Sequence, residues 1–103
     1  MPTKKQVEWL SGIFIDLPIT EVVSGGAHGA DRLGEHMARN RGITIETFYA
    51  QWKLYGRPAG PMRNQKMAEY ADACILFPGG KGTADMKDKA IAAGLKIIEW
   101  SEE

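Results

Sequence analysis

Two stretches of this chain place glycines where a strand would hand over to a helix. They are Ser24-Gly25-Gly26-Ala27-His28-Gly29-Ala30-Asp31 and Pro78-Gly79-Gly80-Lys81-Gly82-Thr83. A turn with almost no side chains lets backbone N–H groups come close to an anion, and a helix N-terminus adds its dipole at the same place. Neither stretch is a known phosphate loop. The Walker pattern G-x-x-x-x-G-K-[ST] fails because Gly82 separates Lys81 from Thr83, and the G-x-G-x-x-G fingerprint is absent. What remains is a generic anion cradle, set against the plainer reading that a tight turn needs glycine. Two such turns on one sheet edge favour a phosphate-bearing ligand.

Other side chains fit the same chemistry. His28, inside the first turn, could bond a phosphate or ribose or shuttle a proton; as a plain loop histidine it would do neither. Asp31 suits a helix cap or a ribose hydroxyl. Arg63, with Asn64 and Lys66, follows Pro61, which suits the first position of a helix. A cation there opposes the helix dipole, and an anionic ligand would offset that cost. Trp52, Tyr55 and Arg57 stand just upstream; the aromatics could stack on a base, although packing under a loop is their commoner fate. Asp85, just after the second turn, suits the helix dipole. His36 has no second metal ligand at a useful spacing, so no metal site is expected.

The elements that must hold these residues alternate. Thr3 to Leu17 reads as an amphipathic helix with Trp9, Leu10, Ile13, Phe14 and Leu17 on one face; Thr3 and Gln6 have capping-box spacing and Pro18 ends it. Glu21 to Ser24 is a strand, Ala30 to Arg41 a helix facing inward through Ala30, Leu33, Met37 and Ala38, with Gly42 as its stop. Ile43 to Phe48 alternates as an edge strand, and Tyr49 to Gly60 is irregular. A helix from Pro61 to Ala71, a strand at Cys74 to Phe77, a helix from Thr83 to Ala93 and a strand from Lys96 to Trp100 complete the chain. Such alternation implies an open parallel sheet with helices on both faces, and ligands bind at the carboxyl ends of its strands.

At 103 residues, the chain suits one domain. Thirteen Lys plus Arg balance thirteen Asp plus Glu, which argues against a general nucleic-acid binder. The single cysteine, Cys74, excludes an internal disulfide and reads as a core residue. No signal peptide or membrane span is visible, so a cytoplasmic location is expected.

The stretches VVSGGAHGAD, WKLYGRPAGPMRN and LFPGGKGTADM resemble the YspA-like (cpYpsA-related) branch of the SLOG superfamily, which joins the Smf/DprA proteins and the Lonely Guy phosphoribohydrolases on a Rossmann-like fold. The resemblance runs from about Glu21 to the end of the chain and implies a site for nucleotides or their derivatives. In the Lonely Guy enzymes a P-G-G-x-G-T-x-x-E motif holds phosphate and supplies a catalytic glutamate, which acts with an upstream arginine to cleave an N-glycosidic bond. By that resemblance Arg63 falls on the arginine, and the glutamate position is Met86. Methionine cannot stabilise an oxocarbenium ion or activate water. Asp85 is one residue off, about 100° around a helix. Members of this group also usually open with a strand before the first helix, central in the sheet and between the strands of the two glycine turns. This sequence starts at the helix, so those strands would pair directly, receive a strand from another chain, or reflect a truncated start.

The expectation is therefore a Rossmann-like three-layer α/β sandwich, one SLOG domain over residues 1–103 with a leading helix (1–20) and a motif-bearing core (21–103), and an open parallel sheet of about four strands. Gly25, Gly26, His28, Gly29, Asp31, Arg63, Asn64, Gly79, Gly80, Lys81, Gly82 and Thr83 would bind a nucleotide-derived ligand, with no cofactor. Arg63 and Asp85 are the catalytic candidates if the chain is an N-glycosidase. The alternatives are a sequestering protein without chemistry and an assembly module whose turns are only structural. An exposed Trp9/Phe14 face on an incomplete sheet argues for a homo-oligomer.

Overall fold

The computed structural model describes residues 2–26 and 29–101. The chain divides into two compact units, 1–47 and 48–103.

In the first unit, α1 (Lys4–Asp16) starts at the expected capping box. Gln6 N–H donates to Thr3 Oγ1 at 3.2 Å, and Thr3 N–H donates to Gln6 Oε1 at 2.8 Å. Gln6, Leu10 and Phe14, spaced by four, are its buried residues. The Arg41 guanidinium lies 5.4 Å from the centre of the Phe14 ring, and Arg41 Nη2 donates to Ser11 Oγ at 3.2 Å. Phe14 is therefore covered and Trp9 half-buried, which corrects the exposed face expected of this helix.

Strand β1 (Glu21–Ser24) has its expected bounds and pairs in parallel with β2 (Thr44–Thr47), Glu21 opposite Thr44 and Ser24 opposite Thr47. The crossover is α2 (Ala30–Asn40), which buries Met37 and Ala38 as expected and also Glu35. Gly42, at φ +67°, closes the helix in a backbone region that suits glycine.

In the second unit the segment expected to be irregular contains a one-turn helix, α3 (Trp52–Tyr55). Helix α4 (Ala59–Tyr70) begins two residues before Pro61. Pro61 is its third residue rather than its first, still among the N–H positions that lack an intrahelical acceptor. Strand β3 (Ala73–Leu76) pairs in parallel with β4 (Lys96–Glu99) across α5 (Lys81–Ala92). Of β3 only Leu76 is buried, and Cys74 is intermediate, its thiol pushed up by burial. The parallel α/β architecture is as expected. Its hydrogen-bonded ladders are of two strands each, β1 with β2 in the first unit and β3 with β4 in the second.

Among the described residues, no helix is long and apolar enough to cross a membrane.

Candidate functional site

Helix α5 starts at Lys81, two residues earlier than Thr83, with Gly80 as its N-cap and Ala84 N–H donating to Gly80 O at 3.1 Å. Lys81, Gly82 and Thr83 thus form the first turn of the helix, not the loop before it. No side chain caps this end and no acidic residue stands in its first turn. The position of a cation opposing the dipole belongs to Lys81, because α4 also starts early and moves Arg63 into its second turn.

The glycines of this turn have different reasons. A Cβ on Gly79 would collide with the Thr83 side chain, whose own Cβ stands 2.9 Å away. Gly80 and Gly82 meet nothing within 4 Å of a built Cβ, and neither has a positive φ. Gly82 lies within the helix, where glycine costs up to about 1 kcal/mol relative to alanine. Gly12 and Gly34 also stand in open helical positions, but not in the first turn of a helix. Neither backbone nor packing accounts for Gly82.

Behind this turn, Asn64 is 5% exposed and ties α4 to α5. Its Nδ2 donates to Gly82 O at 3.3 Å and to Asp85 Oδ2 at 3.0 Å. Its Oδ1 accepts from Arg63 Nε at 2.9 Å, which orients the guanidinium of this half-buried residue. The other oxygen of Asp85 accepts from Lys89 Nζ at 2.6 Å. The Lys89 hydrogen bond is the largest cause holding the Asp85 carboxyl below the ordinary aspartate value; burial opposes it, and the Asn64 hydrogen bond adds a smaller lowering effect. Asp85 is therefore an ionised, two-sided clasp. Lys89 was not singled out in the sequence, although an acid four residues before a lysine on a helix is a readable pair.

The first glycine turn lies in the other unit. Gly26 (φ +73°) and Gly29 (φ +78°, the N-cap of α2) occupy a region that suits glycine alone, so conformation accounts for both. Gly25 is buried, and Asp31 sits half-buried in the first turn of α2. His28 lies outside the described residues. Two further groups organise the turn: Ser24 Oγ donates to Glu35 Oε2 at 2.6 Å and accepts from Gly26 N–H at 3.0 Å. Ser24 and Glu35 are 2% and 5% exposed, so the bond is sheltered from water. The signal for Glu35 was an acid three residues before Ala38 on the buried face of α2. His36 is exposed and within 3.2 Å of Asn40 Nδ2. Among the described residues, no group of three His, Cys, Asp or Glu could hold a metal ion.

Residues 8–55 match the model of the YspA, cpYpsA-related SLOG family, a stretch that includes the first glycine turn and ends before Arg63. The chain is 37% identical over 90 residues to the Gene 61 protein of Mycobacterium phage D29, covering 80% of this chain and 72% of that protein. No solved structure gives a significant match. On the family match and the phage relative together, the chain belongs to the YspA, cpYpsA-related SLOG family.

Proposed function

We propose that the chain binds a nucleotide or nucleotide-derived ligand through the first turn of α5. The backbone N–H groups of Gly80 to Thr83, the Thr83 hydroxyl and the Lys81 ammonium would receive a phosphate, and Arg63, oriented by Asn64, would add charge from α4. The observation that carries this reading is Gly82, a helical glycine that neither φ nor a neighbouring atom requires, at a helix start without a capping side chain. A ligand approaching the backbone closely is a sufficient reason for it. Family membership supports the ligand class. Gly25, Gly26, His28, Gly29 and Asp31 are a second candidate cradle, which carries less because Gly26 and Gly29 are already required by their φ. The reading needs no continuous four-stranded sheet, since its residues lie in one unit.

A thermal-shift screen of nucleoside monophosphates, ADP-ribose and cyclic nucleotides tests it. At least one should raise the melting temperature, and Arg63→Ala should abolish that rise. A panel without any shift removes the proposal, and an unchanged shift in the variant removes Arg63 from the site.

Cleavage of an N-glycosidic bond is the second reading. Asp85 is the available acid, but Asn64 and Lys89 engage both its oxygens, and Met86 stands where the resemblance places the glutamate. Binding without chemistry is the better supported of the two. Release of free base from AMP by the purified protein would reverse that preference.

A further inference from the structure

We infer that Trp52 is the stacking platform for the base of the ligand proposed above, an inference that rests on that reading.

Trp52 does not pack under a loop. It begins α3, whose single turn is closed by Tyr55 N–H to Gln51 O at 3.0 Å and Gly56 N–H to Trp52 O at 2.8 Å. Its indole is seated on α4 at Gly60: a Cβ there would stand 2.9 Å from Trp52 Cη2 and 3.7 Å from both Cζ2 and Cζ3. The seat exists because residue 60 has no side chain. That edge of the ring meets α4 at Gly60, and Trp52 as a whole remains 57% exposed. A large aromatic residue held at a ring edge and more than half exposed is what base stacking needs, since every base offers a π face and a pre-positioned ring loses little entropy on contact.

Its neighbours complete the case. Gly60, Arg63 and Asn64 are spaced by three and four, so they share one face of α4, about 5–6 Å apart per turn. The seat of the indole at Gly60 and the backbone position of Arg63 are thus about one helical turn apart along α4, the order of separation between a base and the 5′-phosphate of one nucleotide. From Phe48 to Met67 there is no Asp or Glu, while Lys53, Arg57, Arg63 and Lys66 are all cations. A phosphorylated ligand with an aromatic base matches both features.

Titration calorimetry with AMP and with ribose 5-phosphate, which lacks the base, tests the inference. Trp52→Ala and Trp52→Leu should weaken AMP about tenfold or more and leave ribose 5-phosphate within about twofold, while Trp52→Phe keeps most of the AMP affinity. Gly60→Ala, which displaces the ring from its seat, should act like Trp52→Leu. Arg63→Ala should weaken both probes. If the Trp52 variants leave AMP unchanged, or weaken both probes equally, this inference is overturned and the phosphate site stands. If the wild-type protein binds neither probe, this inference is overturned, and the parent reading is decided separately by the thermal-shift panel.

Discussion

The Asn64 side-chain amide donates to Asp85 Oδ2 at 3.0 Å, joining the middle of α4 to the second turn of α5 through a residue that is 5% exposed. The same amide nitrogen reaches Gly82 O, and the amide oxygen receives Arg63. One buried side chain therefore sets the helix start and the cation beside it.

Asn64→Leu keeps the volume and removes every bond. It should cost about 1–3 kcal/mol of stability, from acceptors left without their donor. Urea denaturation measures this. A shift in midpoint at constant m-value is expected, together with weaker binding than in Gln65→Ala, an exposed neighbour outside the clasp.

Gly82→Ala separates fold from function. Alanine is the better helix former and meets nothing within 4 Å, so the variant should be as stable as wild type or more stable, by up to about 1 kcal/mol. Ligand affinity should fall. Unimpaired affinity in a stabilised variant would leave the Gly82 argument without support.

Gly79→Ala should be destabilising by about 1–3 kcal/mol through overpacking against Thr83. Thr83→Ala in the same chain removes the hydroxyl and methyl and should recover part of the loss. A double-mutant cycle on melting curves reads the coupling.

Acid tests the clasp on Asp85. Its folded-state value lies below its unfolded one, so unfolding takes up protons in that range, and the stability is present above the unfolded value of about 3.9. It is lost as the pH falls through the depressed folded value. Asp85→Asn should flatten this part of the stability profile below about pH 4, and so should Lys89→Met, because the lysine is the larger cause of the shift.

Ser24→Ala removes a hydroxyl that bonds a buried carboxylate and the turn at Gly26, and should cost about 1.5–3 kcal/mol. Combined with Glu35→Ala, the two losses should be less than additive, because each removes the same bond.

Local features of this chain were legible without the fold. The capping box at Thr3 and Gln6, the strand Glu21–Ser24 and the parallel strand-helix-strand order depend on residues within a few positions of one another, and the structure has them. Helix starts after glycine and proline were less legible. Arg57-Pro58-Ala59-Gly60-Pro61 and Gly79-Gly80-Lys81-Gly82 each permit several starting points, and the chosen ones moved Lys81 into a first turn and Arg63 out of one.

The family resemblance was also legible in sequence alone, because motif spacing survives any detail of packing. Only tertiary structure decided which partners the individual residues have. It placed Asp85 between Lys89 and Asn64, and it buried Glu35 against Ser24. It also seated Trp52 on Gly60 while leaving the residue more than half exposed. Each outcome depends on a contact between separate elements, and the partner in such a contact is fixed by how the helices and strands pack.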